Sequence, residues 1–290
     1  MIDKPTGWTA HDVVARVRRL TGERRVGHAG TLDPAATGVL PVCVGEATKV
    51  VEYLSARGKT YLAAVLLGTT TETDDLDGWV RDERDASHLS LEMVREQLPQ
   101  FTGTITQIPP AYSAIHIAGK RAYALARAGQ VVDVPARRVT VHRIALVAWS
   151  PPVAWLVVDC GAGTYIRALA RDLGNLLGCG GTLAQLMRLR SGPFRLCEAW
   201  SLDALAALPD LRATWPQVAV HPDAALADWP ALLLDGDAAR DWAQGKAIAD
   251  GAALPAVNVR AYDAAGDWRG VGFGMDGAWR PKKVVTSTEY

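Results

Sequence analysis

The stretch from Gly27 to Pro41, GHAGTLDPAATGVLP, constrains the fold of this 290-residue chain more than any other. It holds three glycines and two prolines in fifteen residues, a density that excludes a regular helix or a central strand. Asp33 lies in its middle, and the ring of Pro34 disfavours helical backbone at Asp33. We therefore predict a rigid loop that presents one carboxylate in one orientation. An ordinary Asp-Pro turn is the alternative interpretation.

Composition bounds the class of protein. The chain is 49% hydrophobic, which is ample for one large domain with a small companion. It has no uncharged apolar run of eighteen residues and no apolar signal core at its start, so we expect a cytoplasmic protein without membrane attachment. The four cysteines form no C-x-x-C pair, and no nucleotide-binding glycine motif is present. We expect no metal and no cofactor.

Charge distribution says more than net charge. The formal net charge is zero, with 31 basic and 31 acidic residues, which by itself does not indicate an RNA partner. Basic residues nevertheless cluster within 16–25, 120–138 and 167–195, whereas acidic residues gather within 72–85. A neutral chain can carry one basic face in this way. Solvated helix surfaces are the alternative explanation.

Hydrophobic periodicity predicts a mixture of helices and strands, hence an α+β fold. Thr9 and Asp12 form a capping box before a helix with one apolar face. Residues 3–7 read as a turn and residues 120–129 as a short basic helix with a glycine cap at Gly129. Other predicted helices are 45–53, 90–98 and 164–174; predicted strands are 39–44, 59–68, 138–149 and 155–160, with a β-rich module over 232–283.

The stretch around Asp33 resembles the catalytic-aspartate motif of the TruB-type tRNA pseudouridine synthases. The resemblance continues in shorter motifs along the chain. These are K-P-x-G with Lys4, K-x-Y with Tyr61, T-x-T-x-D-x-x-G with Asp75, Q-x-P-P-x-Y-S-A at 107–114, G-T-Y-I-R with Tyr165 and Arg167, and L-x-R with Leu186 and Arg188.

The family resemblance implies a domain organisation. It implies a pseudouridine synthase catalytic domain over 1–225, built on a mixed, mainly antiparallel sheet flanked by helices. It also implies a small β-rich, PUA-like RNA-binding domain over 230–285, whose basic end carries Arg280, Lys282 and Lys283.

The resemblance further implies an isomerase that converts uridine 55 in the T loop of tRNA to pseudouridine after flipping the base out of its stack. It assigns catalytic roles to Asp33 as nucleophile, Tyr61 and Arg167. Substrate binding falls to His28, Tyr165, Asp75, Leu186, Arg188 and Lys4. The pattern at 121–129 resembles the bacterial stand-alone branch, so we expect a monomer that acts on the T-arm stem-loop of tRNA without a guide RNA.

Some of these assignments have an alternative. A catalytically inert RNA-binding or tRNA-folding protein could use the same scaffold, although intact Asp33, Tyr61 and Arg167 argue against that. Tyr61 alone could be a core tyrosine, and His28 a neutral turn histidine that holds the loop by a hydrogen bond. Arg167 could be a surface residue; if functional, it keeps Asp33 ionised and is oriented by Asp75.

A calcium site is excluded in the acidic loop that follows the strand over 59–68. An EF-hand needs an acidic first ligand and a glutamate six residues after its glycine. Thr73 stands at the first position, and Arg84 stands where the glutamate should be.

Overall fold

A computed structural model describes residues 1–113, 116–117, 120–128, 130, 133–250 and 256–286. The strands are β1 (Ile2–Lys4), β2 (Val26–His28), β3 (Thr37–Leu40), β4 (Val42–Val44), β5 (Lys59–Leu67), β6 (Thr69–Thr71), β7 (Val80–Glu83), β8 (Gly103–Gln107), β9 (His116–Ile117), β10 (Lys120–Arg121), β11 (Arg137–Ser150), β12 (Val153–Cys160), β13 (Gly181–Ser191), β14 (Phe194–Arg195), β15 (Ala231–Leu233), β16 (Ile248–Ala249), β17 (Asn258–Tyr262), β18 (Trp268–Met275) and β19 (Ala278–Val284). The helices are α1 (Ala10–Thr21), α2 (Val51–Ser55), α3 (Leu91–Gln97), α4 (Ala122–Arg127), α5 (Ile166–Leu176), α6 (Leu202–Ala206), α7 (Trp215–Val218) and α8 (Gly236–Ala243).

A large central sheet carries the fold. Its strand order is β1-β3-β13-β5-β12-β11-β8, and β14 pairs with β13. The β3–β13 pair is parallel and all other pairs of this sheet are antiparallel. The predicted mixed, mainly antiparallel sheet with flanking helices is therefore confirmed.

Strand β13 packs against β3 unusually closely at one position. Gly38 of β3 lies opposite Arg188 of β13 and has φ +97°, a region that favours glycine. A Cβ atom at Gly38 would lie 2.3 Å from the carbonyl oxygen of Arg188. On its other side, Arg188 lies opposite Tyr61 of β5. The glycine thus permits the contact that joins the end of the Asp33 loop to the centre of the sheet.

Helix α1 begins as its sequence predicts. The Thr9 hydroxyl oxygen accepts a hydrogen bond from the Asp12 amide at 3.1 Å, and the Asp12 carboxylate accepts one from the Thr9 amide at 2.9 Å. This reciprocal pair is a capping box and satisfies two amides that a helix start leaves open. The buried face of α1 packs with Leu40 and α6 through Ala10, Val13, Val14 and Val17.

Helix α5 lies across the sheet in direct contact with the start of β13. A Cβ atom at Gly174 would lie 2.1 Å from the backbone of Gly180 and Gly181, so no larger residue fits there. The apolar face of α5, including Leu169 and Leu173, enters the main core cluster formed with β5, β12 and β13. This packing fixes the first turn of α5 relative to the strands.

The C-terminal part forms a second sheet of order β15-β17-β18-β19-β16, in which β15 and β17 are parallel. The β-rich character predicted for this region is confirmed. Trp268 and Val271 of β18 share an apolar cluster with Val50 and Leu54, next to and within α2. Ion pairs between Arg57 and Asp228, and between Lys283 and Glu52, also join the two sheet regions, as does a bond from the Lys49 ammonium to the Val284 carbonyl.

Several local predictions differ from the structure. The helix predicted over 45–53 is a 3₁₀ helix over Gly45–Val50 that continues into α2. The single strand predicted over 39–44 is split at Pro41 into β3 and β4, which lie in different sheets, because proline cannot donate a ladder hydrogen bond. Asp3, predicted in a turn, belongs to β1, because the backbone of 2–4 pairs with 38–40. The basic helix starts at Ala122 rather than at residue 120. The predicted cap at Gly129 and the last residue of the 107–114 motif lie outside the described residues.

None of the helices in the described ranges has the length and apolar character needed to span a bilayer.

Candidate active site

Asp33 lies in the loop between β2 and β3. The loop is anchored on either side of it, because Leu32 and Ala36 are buried in the main core cluster. The carbonyl of Pro34 accepts hydrogen bonds from the Gly7 amide at 2.8 Å and from the Lys4 ammonium at 3.1 Å. The Asp33 side chain itself remains 43% exposed. The loop therefore holds its backbone firmly and leaves the carboxylate open to a substrate.

Arg167, in the first turn of α5, connects Asp33 to the acidic loop. Its Nη2 lies 3.1 Å from Asp33 Oδ2, and its Nη1 lies 3.2 Å from Asp75 Oδ2. The guanidinium also donates to the carbonyls of Thr73 at 3.1 Å and Tyr112 at 3.0 Å. The side chain is only 8% exposed. The structure thus brings together Asp33, Arg167 and Asp75, and Arg167 is a buried residue rather than a surface one.

Asp75 is itself held firmly between β6 and β7. Its Oδ1 accepts hydrogen bonds from the Thr73 hydroxyl and from the Asp77 amide. Its carbonyl accepts a bond from the Thr71 hydroxyl at 2.6 Å. Because these bonds occupy one carboxylate oxygen, the other remains directed at Arg167. A planar guanidinium held at two edges by carboxylates has a defined orientation.

Arg171, which the sequence motifs do not assign to the site, forms a similar ion pair with the acidic loop one helical turn after Arg167. Arg171 Nη1 lies 2.8 Å from Asp74 Oδ2, and Arg171 Nη2 donates to the carbonyl of Ile108 at 2.8 Å. Arg167 and Arg171 are spaced i, i+4 and therefore lie on one side of α5. Together they tie the adjacent carboxylates Asp74 and Asp75 to the helix. In the sequence, the i, i+4 spacing of Arg167 and Arg171, together with the adjacent pair Asp74 and Asp75, is the signal that could have indicated this second ion pair.

Lys4 and Arg188, predicted to bind substrate, lie beneath the Asp33 loop. Lys4 is fully buried, and its ammonium donates to the carbonyls of Pro5, Trp8 and Pro34 at 2.9, 2.6 and 3.1 Å. Arg188 is 1% exposed and donates to the carbonyls of Val39 at 2.7 Å and Gly30 at 2.9 Å. Among the described residues, Lys4 thus bonds only backbone oxygens, whereas Arg188 bonds backbone oxygens of the loop and also contacts the Tyr61 hydroxyl.

Tyr61 and His28 lie on strands that flank the loop. Tyr61 is buried on β5 in the main core cluster, next to Arg188 in the strand register. His28 ends β2 and is half-buried. Its Nδ1 is buried and makes no hydrogen bond to the described residues, and its ring meets the ring of His11 edge-on at 5.6 Å. The loop-holding hydrogen bond of the alternative interpretation is therefore not formed through Nδ1.

Tyr165 immediately precedes α5 and is held by Gln107. The buried Gln107 amide accepts from the Tyr165 N–H at 3.1 Å and donates to the Tyr165 carbonyl at 3.2 Å. Arg137 lies over the Tyr165 ring at 5.7 Å. Leu186 lies on β13, partly buried against the main core cluster. Gln107 is the first residue of the Q-x-P-P-x-Y-S-A motif, but the motif alone does not predict that its side chain holds the backbone of Tyr165.

The surroundings shift the acid–base properties of the site. Although the Asp33 side chain is 43% exposed, its partial burial raises its pKa; the Arg167 guanidinium opposes this shift without cancelling it, and Asp75 and Asp77 add to it. Burial also raises the pKa of Tyr61, and burial together with the nearby His11 and Arg188 lowers that of His28. Asp33 is therefore a stronger base than a free aspartate, while Tyr61 keeps its proton and His28 stays neutral.

Comparison with known proteins identifies the family. Residues 18–166 match the model described as TruB family pseudouridylate synthase (N terminal domain), and residues 167–215 match that described as tRNA pseudouridylate synthase B C-terminal domain. The chain belongs to the TruB family of pseudouridylate synthases. The family boundary falls between Ile166 and Arg167, so the contact between Asp33 and Arg167 joins the two matched segments.

Individual relatives agree. A "tRNA pseudouridine synthase B" of Synechococcus elongatus is 45% identical over 295 residues, covering 99% of this chain and 97% of the relative. One of Thermobifida fusca with the same name is 51% identical over 215 residues, or 71% of this chain and 73% of the relative. The solved "Crystal Structure of a Cbf5-Nop10-Gar1 Complex" matches with TM-score 0.72 and 25% identity over 98% of this chain and 83% of that chain.

Proposed function

We propose that this TruB-family protein isomerises uridine 55 in the T loop of tRNA to pseudouridine, with Asp33 as the nucleophile. The observation that carries the proposal is the accessible Asp33 carboxylate, 3.1 Å from Arg167, in a chain of the pseudouridylate synthase family. The relatives' shared name, tRNA pseudouridine synthase B, supports tRNA as the substrate. The reaction is an isomerisation and needs no redox partner and no phosphoryl donor.

The chemistry requires an ionised carboxylate at a fixed position. The glycosidic C1′–N1 bond breaks, the uracil turns in the pocket, and a C1′–C5 bond forms; the proton leaves C5 and N1 gains one. Asp33 either adds to the ribose or removes the C2′ proton, and both routes start from its ionised form. Arg167 favours that form and fixes its direction, while Asp75 fixes Arg167. Tyr61, protonated and beside the loop, supports the uracil.

The target base has to leave its stack before it can reach Asp33. His28 stands five residues before Asp33, and its neutral, half-buried ring suits a wedge that enters the loop of the RNA. Tyr165 and Leu186 supply further surface for the base and its neighbours. For Lys4 and Arg188 we now propose an indirect role: they support the loop that carries Asp33, since both side chains are buried beneath it.

The C-terminal sheet is proposed as a PUA-like RNA-binding domain over 230–285, beside a catalytic domain over 1–225. Arg280 and Lys282 are exposed on β19, and the Lys282 ammonium lies 4.5 Å from the centre of the Phe273 ring. These two cations suit phosphate contacts. Lys283, expected in the same role, is instead paired with Glu52 at 2.8 Å. We further propose a cytoplasmic monomer that acts without a guide RNA.

The rival function is an inert RNA-binding or tRNA-folding protein on the same scaffold. Transcript tRNA labelled with tritium at uracil C5 separates the two, because only the isomerisation exchanges that hydrogen with water. Tritium release at a rate proportional to enzyme supports the proposal. Tight tRNA binding without any release would establish the rival.

A further inference from the structure

A shallow cavity of about 290 Å³ opens beside the Asp33 loop, and none of the residues assigned to the reaction lines it. It is lined by Gly7, Trp8, Asp12, Ala15 and Arg19. Trp8 is 37% exposed, so part of this residue is accessible to a ligand at the surface. The cavity thus combines an aromatic face with an accessible guanidinium.

The cavity is tied to the active site by short hydrogen bonds. The amide of Gly7 donates to the carbonyl of Pro34 at 2.8 Å. The Lys4 ammonium bridges the carbonyls of Trp8 and Pro34 at 2.6 and 3.1 Å. Because Pro34 directly follows Asp33, the position of Trp8 is fixed relative to the nucleophile. The backbone of Trp8 is thus held to the backbone of the Asp33 loop.

The other wall of the cavity is one face of helix α1. Asp12, Ala15 and Arg19 follow a helical spacing and extend over about 10 Å. Asp12 Oδ2 is occupied by the amide and hydroxyl of Thr9. Arg19 donates through Nε to the carbonyl of Ala15 at 3.4 Å, and no carboxylate within the described ranges forms an ion pair with it. Its terminal nitrogens can therefore take an anion.

We propose that this cavity binds one nucleotide of the RNA substrate other than the flipped uridine, with its base stacked on Trp8 and its phosphate on Arg19. The proposal rests on the proposed function. An aromatic face with one cation fits a single base and a single phosphate, as in proteins that track single-stranded nucleic acid. The carboxylate of Asp12 disfavours a free polyphosphate, which favours a residue within an RNA chain over a free nucleoside triphosphate.

The test compares four variants with the wild type: Trp8→Ala, Trp8→Phe, Arg19→Gln and, as a matched charge change on the same helix outside the cavity, Arg16→Gln. Dissociation constants are measured for a T-arm hairpin and for full-length tRNA at several salt concentrations, in an Asp33→Asn background that prevents turnover. Saturated single-turnover rates of tritium release are measured with Asp33 intact.

We expect Trp8→Ala to raise the dissociation constant about fivefold or more, and Trp8→Phe to retain most of the affinity, because a phenyl ring still stacks. Arg19→Gln should reduce the slope of log K against log salt concentration by about one, as the loss of one phosphate contact requires. Arg16→Gln should leave this slope unchanged. Saturated rates should stay within about twofold of wild type. If the affinity for the T-arm hairpin already falls, the bound nucleotide lies in the T arm. If only the affinity for full-length tRNA falls, the nucleotide lies elsewhere in the tRNA.

Wild-type affinity of Trp8→Ala for both RNAs would overturn the cavity proposal. A lower saturated rate with unchanged affinity would also overturn it, since Trp8 would then support the Asp33 loop instead. The two proposals fail separately. If the wild type releases no tritium, the proposed function fails; if the wild type is active and Trp8→Ala binds normally, only the cavity proposal fails.

Discussion

Arg167 Nη2 lies 3.1 Å from Asp33 Oδ2 while Nη1 of the same guanidinium lies 3.2 Å from Asp75 Oδ2. One arginine therefore spans two carboxylates on two different loops. The guanidinium also donates to the backbone carbonyls of Thr73 and Tyr112, so each terminal nitrogen bonds one carboxylate and one carbonyl. This arrangement requires both the charge and the planar fork of arginine.

Replacing Arg167 with lysine tests that requirement. Lys keeps the charge but cannot reach Asp33 and Asp75 in one plane, so we expect a saturated single-turnover rate at least tenfold below wild type. Each charge-assisted bond contributes about 1.5–3 kcal/mol, and about 1.4 kcal/mol is a factor of ten. Arg167→Ala should lower the saturated rate by about two to three orders of magnitude. This corresponds to the low end of the free-energy cost of breaking a buried ion pair, because the Asp33 side chain is 43% exposed.

Dissociation constants for tRNA measured in parallel decide what the loss means. We expect both Arg167 variants to bind tRNA within a few-fold of wild type. If Arg167 is a phosphate contact, the lysine variant should react at a near-normal saturated rate while the alanine variant binds poorly. That pair of results would remove Arg167 from the catalytic residues.

The raised pKa of Asp33 predicts an acid limb in the pH–rate profile. Because the ionised form reacts, the saturated rate should fall as pH decreases, with an apparent pKa above that of a free aspartate. Asp77 raises the pKa of Asp33 but forms no ion pair with Arg167 in the described structure. Asp77→Asn should therefore shift the limb to lower pH with little change in the plateau rate. An unmoved limb would assign it to another group, with His28 the first to examine.

Gly38→Ala tests the contact between β3 and β13. The new methyl group would lie 2.3 Å from the Arg188 carbonyl, at a backbone φ of +97°. We expect the free energy of unfolding to fall by about 2–4 kcal/mol, from overpacking plus the cost of the left-handed backbone. Gly103→Ala is the matched control, because Gly103 has φ +90° with no atom within 4 Å of its added Cβ. Equal losses in urea denaturation of the two variants would contradict the predicted clash.

Much of this fold follows from local sequence. Thr9 with Asp12 marks the start of α1, and the apolar run after Lys59 marks the central strand β5, because capping and burial act within a few residues. The loop around Asp33 is equally local, since glycine and proline restrict their own neighbours. These features needed no knowledge of distant contacts.

The burial of individual side chains and the contacts between residues distant in sequence could not be predicted from local sequence. The family resemblance assigned Lys4 and Arg188 to the site but did not indicate that both are buried beneath the loop. The alternation of β13 is broken by a register shift between Arg188 and Arg190, which no spacing in one strand reveals. The pairing of Arg171 with Asp74 joins residues nearly a hundred positions apart, and only the folded sheet brings them together.

The C-terminal sheet should contribute affinity more than rate. Removing it would expose Val50 and Leu54, so point variants are the cleaner test. We expect Arg280→Gln combined with Lys282→Gln to weaken tRNA binding and reduce its salt dependence by up to about two in log K per log salt, with a near-normal saturated rate. Lys283→Gln serves as control, because Lys283 pairs with Glu52. An equal effect of the control, or a collapse of the saturated rate, would refute this division of labour.

The most direct test of the central claim is tritium release from C5-labelled tRNA by Asp33→Asn. We expect no release at saturating enzyme, with tRNA affinity within a few-fold of wild type, because one carboxylate carries the chemistry and dispersed contacts carry binding. Asp77→Asn makes the same chemical change in the neighbouring acidic loop and should remain active. Measurable turnover by Asp33→Asn, free of wild-type enzyme, would contradict the assignment of Asp33 as the nucleophile.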